Sequence, residues 1–190
     1  MDREQILYFA TATPGSYDRD ELERLYEYVH ALPQNSIICE IGVQYGRTAS
    51  LYLNENRHKV YLVDCWIENE GDSKPCFFAN CDKYGWWDRF KPLWYYSDRA
   101  ASYVPNNIDL LHIDGGHTPV AIEQDCKYYL PKLKVGGIVV FHDYKRPSRD
   151  PEAGTTEFPG VEAAVDTFTN NSSWEDLGLI NTQIIKRKLK

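Results

Sequence analysis

The sequence predicts an α/β fold, a doubly wound and mostly parallel sheet of about seven strands with an antiparallel C-terminal strand. Two observations lead to this prediction. Apolar runs of strand length alternate with amphipathic segments of helix length, which is typical of a parallel sheet covered by helices on both faces. Several of these runs also end in glycines and ionisable residues, and ligands bind at such strand ends in open α/β sheets. The chain of 190 residues suits a single domain over residues 1–190.

The first part of the chain, residues 1–33, is predicted to be an N-terminal helical segment. Asp18 is the expected N-cap of its helix, Glu21 lies three positions later as in a capping box, and Pro33 ends the helix. Residues 34–190 form the predicted core. This core begins with the strand "SIICEIG", the helix "VQYGRTASLYLNENR" and the strand "KVYLVD".

The second half of the chain continues the alternation. "PLWYYSD" is a weaker strand, "IDLLHID" a strand, "TPVAIEQDCKYYLPKL" a helix and "GGIVVFHDY" a strand. "VEAAVDTFTN" is predicted to be helical, and "NTQIIKRK" is a final strand, most simply at the sheet edge. Residues 67–92 are predicted to hold a helix plus irregular chain, and residues 145–160 a loop of turn formers that covers or forms a site.

Charge and hydropathy limit the kinds of partner. The net charge is −7, and the basic residues form no stripe apart from the tail "KRKLK", so nucleic acid is not an expected partner. No apolar run approaches the roughly 20 residues of a membrane span, and the start "MDREQ" is not that of a signal peptide. These features predict a cytoplasmic protein that acts on a small molecule or a glycan. Little sequence remains for a cap domain. A homo-oligomer, in which a second subunit closes the pocket, therefore remains an alternative.

The turn after the first core strand indicates the chemistry of the ligand. "CEIGVQYGRT" places Glu40 at the strand end and Gly42 and Gly46 in the turn, where glycines let a ligand approach the backbone. Gln44 stands where a dinucleotide-binding turn has its second glycine, which argues against a diphosphate. A carboxylate there favours a cationic group instead. Asp64 follows Gly42 by 22 positions, the distance at which an acidic residue holds a ribose diol, so a nucleoside with a cationic group fits both carboxylates.

The order of five sequence strings resembles that of class I S-adenosylmethionine-dependent methyltransferases. The strings are "EIGVQYGRTAS", "VYLVDCW", "YYSDRA", "DLLHIDGGHT" and "LKVGGIVVFHDY", and the similarity runs from about residue 34 to residue 188. It is strongest to the small family with E-x-G-x-x-x-G and H-I-D-G-x-H motifs, and it implies a Rossmann-like fold. The resemblance also implies that Glu40, Gly42 and Gly46 border the methionine part of S-adenosylmethionine, that Asp64 binds the ribose, that Asp98 lies near the adenine, and that Trp66 and Asp114 are further cofactor-binding residues.

A second group of ionisable residues suggests where a proton is transferred. Asp114 and His117 follow the fourth strand, and His142 and Asp143 end the fifth. Methyl transfer to a hydroxyl needs the acceptor to be aligned and its proton removed, so His117 and Asp143 are the predicted catalytic residues. Relatives that methylate sugar or catechol hydroxyls place Mg²⁺ among an Asp at the fourth strand end and an Asp-Asp or Asp-Asn pair at the fifth. Asp114 and Asp143 as Mg²⁺ ligands remain an alternative here, although His142 departs from that pattern.

The sequence therefore predicts an S-adenosylmethionine-dependent O-methyltransferase. Two alternatives remain. An NAD-dependent oxidoreductase would share the sheet and Asp64 but lacks its G-x-G turn, and a non-catalytic nucleoside-binding module would not need the ionisable residues at the strand ends.

Overall fold

A single seven-stranded sheet organises the computed structural model, which describes residues 1–66, 71–150 and 152–190. Over this part of the chain the strands are β1 (Ile37–Ile41), β2 (Lys59–Val63), β3 (Phe90–Leu93), β4 (Ile108–Ile113), β5 (Leu133–Phe141), β6 (Trp174–Ile180) and β7 (Gln183–Lys188). The helices are α1 (Arg3–Ala12), α2 (Arg19–Ala31), α3 (Ala49–Glu55), α4 (Ser73–Tyr84), α5 (Ser97–Ala100), α6 (Pro119–Tyr129) and α7 (Pro159–Thr169).

The strand order confirms the predicted fold class. The order across the sheet is β3-β2-β1-β4-β5-β7-β6. The first five of these strands pair in parallel, whereas β7 runs antiparallel to both β5 and β6. Because β1 has β2 on one side and β4 on the other, the chain reverses its direction of travel over the sheet at β1. The carboxyl ends of β1 and β4 are therefore the place where an open α/β sheet binds its ligand.

Helices cover both faces of the sheet, as a parallel sheet requires. Helices α1 to α4 pack their buried apolar side chains on one face, with Leu25, Tyr52 and Phe77 fully buried. Helices α5 to α7 cover the other face, where Ile122 and Val165 lie in the second cluster. None of the helices in the described ranges combines the length and the apolar character that crossing a membrane requires.

The C-terminal strands and the third strand differ from the prediction. The final strand, predicted at the sheet edge, lies between β5 and β6, and β6 is the edge strand. Strand β6 has the sequence "WEDLGLI", whose acidic residues and glycine hide the apolar alternation, and its register shifts between Asp176 and Gly178. Strand β3 ends at Leu93, so the aromatic residues Tyr95 and Tyr96, predicted within a strand, follow it and are exposed.

Candidate active site

The glycine turn after β1 lies directly against the end of β4. Gly42 has a φ of +89°, and a Cβ at this position would overlap the carbonyl oxygen of Asp114. Gly46 has a φ of +80°, and a Cβ there would overlap the ring of Phe77 from α4. Only glycine combines these backbone angles with such close approaches. The conformation of the turn therefore requires glycine at both predicted positions, and the turn packs against the backbone of Asp114.

The carboxylate of Asp64 holds the same turn. Its Oδ2 accepts hydrogen bonds from the backbone N–H groups of Val43 at 2.8 Å and Gln44 at 2.9 Å, and its Oδ1 accepts one from Trp66 at 2.8 Å. An ionised carboxylate has about four acceptor positions, so three are used within the chain. Asp64 and the glycine turn, which the sequence predicts at neighbouring strand ends, are thus in direct contact.

Glu40 is buried behind the turn rather than on its surface. Its side chain is 0% exposed. Oε1 accepts a hydrogen bond from the Thr48 hydroxyl and lies 3.2 Å from Nδ1 of His112. Burial raises the pKa of Glu40, and contacts with His112 and Thr48 only partly offset this. Oε2 has no hydrogen-bond partner among the described residues, so one buried carboxylate oxygen beside the turn remains without a donor.

Two further predicted cofactor residues, Trp66 and Asp98, have different surroundings. The backbone of Trp66 has a positive φ of 42°, and its indole Nε1 donates to the carbonyl of Gln44 at 3.2 Å. The Trp66 ring packs against Phe77 and Trp94, with ring centroids 5.9 Å and 4.5 Å away. Asp98 is exposed in α5 and accepts a hydrogen bond from the backbone N–H of Arg99. The structure thus brings Trp66 to the turn, whereas no hydrogen bond within the described ranges joins Asp98 to it.

The two predicted catalytic residues are in contact. Nε2 of His117 lies 2.7 Å from Oδ2 of Asp143 and 4.0 Å from Oδ1 of Asp114. The His117 ring stacks on Phe158, with centroids 4.2 Å apart. Burial lowers the pKa of His117, but Asp143 and Asp114 outweigh burial and raise the pKa above its ordinary value. A half-exposed imidazole is therefore held by a carboxylate at the carboxyl ends of β4 and β5.

Asp143 is bound on its other side by an arginine. Asp143 is buried with a left-handed φ of 61°, and its Oδ1 accepts a hydrogen bond from Nη1 of Arg146 at 2.6 Å. Burial alone would raise the pKa of this carboxyl, but His117, His142 and Arg146 hold the pKa well below its usual range. Arg146 also contacts Glu157 through Nε at 2.9 Å. Because of these contacts Arg146 is charge-balanced within the chain.

His142, the residue before Asp143, is almost completely buried among acidic groups. Its Nδ1 lies 3.3 Å from Oδ1 of Asp114 and 3.4 Å from Oδ1 of Asp143, and its Nε2 lies 3.6 Å from Oε2 of Glu21. The ring of Tyr17 stacks on the imidazole with centroids 3.8 Å apart. Burial lowers the pKa of His142, but Asp114, Asp143 and Glu21 raise it far above the ordinary value. The three carboxylates around His142 therefore favour its charged imidazolium form.

Tyr17 and Glu21 are site residues that the sequence did not reveal. Glu21 completes the predicted capping box, since its Oε2 accepts from the backbone of Asp18 at 2.9 Å, and this local role gives no signal of a second one. Tyr17 donates or accepts a short hydrogen bond with Nε2 of His112. Both residues reach the site through contacts more than 90 positions apart along the chain, which spacing alone does not predict.

The ligand atoms of Asp114, His117 and Asp143 lie within 4.8 Å of one another, which brings three metal-ligating side chains together. The surroundings of this group do not fit Mg²⁺. One of the three donors is an imidazole nitrogen, whereas Mg²⁺ takes oxygen ligands. Both oxygens of Asp143 already have close partners in the protein, Oδ1 in Arg146 and Oδ2 in His117. Side chains of the protein thus occupy positions around Asp143 that a metal ion would need.

A cavity of about 360 Å³ adjoins this cluster. It lies between the start of α2, the loop after β5 and the turn between β6 and β7, and its lining includes Glu21, Arg146, Ser148 and Asn181. Arg146 lines the cavity and also binds Asp143, so the cavity and the ionisable cluster share a wall. Arg146 and Arg149 of the loop after β5 are both paired with Glu157.

The sheet order, the glycine turn at the β1–β4 reversal and the adjoining acid–imidazole cluster define a Rossmann-like α/β protein whose candidate site lies at the carboxyl ends of its central strands. Residues 39–144 match the family model described as "Methyltransferase domain". This match covers more than half of the chain, and the protein belongs to that family. Tyr17 and Glu21 lie outside the matched residues.

Several known proteins are similar to this chain at low sequence identity. The uncharacterized protein y4gI of Sinorhizobium fredii is 24% identical over 166 residues, which are 80% of this chain but only 18% of that protein. The chain therefore spans less than a fifth of this curated relative. Among solved structures, the SAH-bound methyltransferase PaMTH1 of Podospora anserina has a TM-score of 0.71 at 15% identity, over 98% of this chain and 87% of that one. The O-methyltransferase NovP has a TM-score of 0.65 at 16% identity, over 99% and 89%. At such identities the likeness shows the shared fold.

Proposed function

We propose that the protein transfers the methyl group of S-adenosylmethionine to a hydroxyl oxygen of a small molecule or glycan, with His117 as general base. The observation that carries the proposal is the 2.7 Å contact between Nε2 of His117 and Oδ2 of Asp143, beside the turn that touches Asp114. An imidazole oriented by a carboxylate is an arrangement suited to removing a proton from a hydroxyl. Membership of the methyltransferase-domain family supports the reaction class over the oxidoreductase alternative.

The residues at the glycine turn suit the methyl donor. The unpartnered Oε2 of Glu40 can accept a hydrogen bond from the ammonium group of the methionine part. Asp64 has an acceptor position left for a ribose hydroxyl after its three backbone hydrogen bonds. Trp66 contacts the same turn through the carbonyl of Gln44, and we assign its ring to packing on the nucleoside. We assign Asp98 to the adenine only by its place in the motif order.

The proton-transfer step follows from the contacts of His117. When bound, S-adenosylmethionine supplies a methyl carbon on a sulfonium that an oxygen nucleophile can attack. His117 faces Asp143 through Nε2, so Nδ1 is the nitrogen that takes the hydroxyl proton as the new O–C bond forms. Asp143 holds the ring and stabilises the imidazolium that results. The donor leaves as a neutral thioether, and His117 returns its proton to solvent.

The experiment that tests this proposal separates binding from chemistry. We expect S-adenosylhomocysteine, the reaction product, to bind in calorimetry, and NAD not to bind. Against a panel of sugars and phenols, H117A is expected to lose at least about a hundredfold in kcat, the usual contribution of a general base, while retaining its affinity for S-adenosylhomocysteine. Full turnover by H117A would exclude the base assignment. Absence of S-adenosylhomocysteine binding would exclude the proposed function and favour a non-catalytic module.

A further inference from the structure

The cation at the centre of the strand-end cluster is a side chain of the protein. His142 is 2% exposed, and three carboxylates from three elements approach its ring nitrogens: Asp114 after β4, Asp143 after β5 and Glu21 in α2. Like-charged carboxylates in a buried site repel each other unless a cation lies between them. Nδ1 of His142 lies within 3.4 Å of both Asp114 and Asp143, so the imidazolium bridges that pair.

We propose that the His142 imidazolium takes the place of a metal ion in this site and is a positioning residue, which keeps Asp114 and Asp143 together and Asp143 aligned on His117. The role of His142 deepens the proposed function, because it concerns the geometry of the proposed base. The expected absence of a metal requirement is argued from the contacts of Asp143 and His142 and is tested without any acceptor.

The existing contacts of Asp143 and the charge of His142 argue against an additional divalent ion. The charged groups that face it are the carboxylates of Glu21, Asp114 and Asp143 and the cationic or titratable groups of Arg146 and His117. Arg146 binds Oδ1 of Asp143 at 2.6 Å, and His117 lies 2.7 Å from Oδ2. A metal ion bound to Asp143 would compete with these partners for the carboxylate while lying near the His142 charge. Both conditions oppose binding.

The ring of His142 is fixed by residues that precede the matched family region. Tyr17 stacks on the imidazole at an interplanar angle of 18°, and its hydroxyl contacts His112. Glu21 is itself held by Thr182, whose backbone N–H and hydroxyl donate to Oε1 at 3.0 and 3.1 Å. His142 therefore has a defined orientation, with one nitrogen towards Glu21 and the other towards the two strand-end carboxylates. Such a fixed cation is suited to positioning and not to exchange with solvent.

Metal binding tests the first half of the proposal. Calorimetric titration of the intact protein with MgCl₂ and with MnCl₂ is expected to show no binding at millimolar concentrations. The variant H142D replaces the internal cation by a carboxylate next to Asp114 and Asp143, and we expect it to bind Mn²⁺. H58N, at a histidine away from the site, serves as the control and is expected to behave as the parent protein. Mn²⁺ or Mg²⁺ binding by the parent protein that D114N abolishes would overturn the proposal.

Imidazole titration by NMR tests the positioning half. Asp143 raises the pKa of His117, so H142N, which frees Asp143 from its position, is expected to shift the His117 titration downward. Loss of the His142 charge alone would shift it upward, and H58N is expected to leave it unchanged. A role of His142 in folding alone would lower the melting temperature without moving this titration. E21Q, which keeps His142 and removes one of its carboxylate partners, is the second variant if H142N does not fold, and it is expected to shift the His142 titration downward. Unmoved titrations in whichever variant folds would overturn the positioning role. All these measurements are independent of S-adenosylhomocysteine binding, so their failure is distinguishable from failure of the proposed function.

Discussion

Glu40 and His112 are direct neighbours across the parallel pair β1–β4, and Oε1 of Glu40 lies 3.2 Å from Nδ1 of His112. The other ring nitrogen of His112 contacts the hydroxyl of Tyr17, whose ring stacks on His142. A line of buried polar contacts thus joins the carboxylate behind the glycine turn to the ionisable cluster at the strand ends. Both ends of the site are parts of one network, in which a change at one residue alters the partners of the next.

The substitution E40Q is expected to change how the stability of the protein depends on pH. Burial raises the pKa of Glu40 above its ordinary 4.5. At pH values between the ordinary pKa and the raised pKa, the folded protein therefore binds a proton that the unfolded chain has lost. Stability from this group is therefore greatest at low pH and falls as pH rises. E40Q lacks this dependence, and in urea unfolding at pH 5, 6.5 and 8 it should gain on the parent protein as pH increases.

The same variant should bind S-adenosylhomocysteine about tenfold more weakly. This is the loss expected for one charge-assisted hydrogen bond of about 1.5 kcal/mol. Calorimetry at neutral pH measures it. An unchanged dissociation constant would show that the Glu40 carboxylate does not contact the bound nucleoside.

The substitution D64N is expected to disturb the turn itself. An asparagine has one oxygen, so its NH₂ group must face either the amides of Val43 and Gln44 or that of Trp66, all of which are donors. We expect a loss of about 2 kcal/mol in the free energy of unfolding and weaker S-adenosylhomocysteine binding. D20N, at an exposed residue in α2, is the matched control. Equal stability and affinity of the two variants would contradict the role of Asp64.

Gly42 and Gly85 allow the cost of a contact to be separated from the cost of a backbone angle. Both have a positive φ, but a Cβ at Gly85 meets nothing within 4 Å, whereas a Cβ at Gly42 overlaps the backbone of Asp114. G85A is expected to cost about 1 kcal/mol for the left-handed conformation. G42A should cost about 3 kcal/mol or more, because the ends of β1 and β4 must also separate. Chemical denaturation measures both, and similar losses would rule out the close approach.

The pH dependence of turnover should report His117. A general base must be deprotonated, and Asp143 and Asp114 raise the pKa of His117 above the ordinary 6.5. We therefore expect kcat/KM to increase with pH through a limb that lies above pH 6.5 in the free enzyme. D143N removes the carboxylate at 2.7 Å and should move this limb to lower pH. A limb that stays in place in D143N would contradict the pairing of the two residues.

The sequence was most informative where local pattern decides the structure. The capping box of Asp18 and Glu21, the strands β1, β2, β4 and β5 and the parallel core follow from apolar runs and turn residues. Strand β6 was not predicted, since Glu175, Asp176 and Gly178 interrupt its alternation. The interior position of β7 depends on pairing with β5, which is far away in sequence and has no local signature.

In the site, too, some features follow from local sequence patterns and others do not. The pairing of His117 with Asp143 agrees with two neighbouring strand ends that carry ionisable residues. The burial of Glu40, by contrast, depends on the α3 residue Thr48 and on His112 across the sheet. The orientation of His142 depends on Tyr17 and Glu21, which a local interpretation assigns to a turn and a helix cap. Residues that act through tertiary contacts of this kind carry no periodic signal.

The side chain of Glu21 has one further consequence, which concerns the limits of an independently folding fragment. Oε1 of this side chain joins α2 to the turn before β7, and the backbone carbonyl of Glu21 accepts a hydrogen bond from Nε2 of Gln183 in β7 at 3.2 Å. A shortened polypeptide carrying only the family signature would lose the first helices and the last two strands together. Such a fragment would expose the flank of β5 and leave one nitrogen of His142 without its acidic neighbour, so the smallest active unit must extend well beyond the signature on both sides.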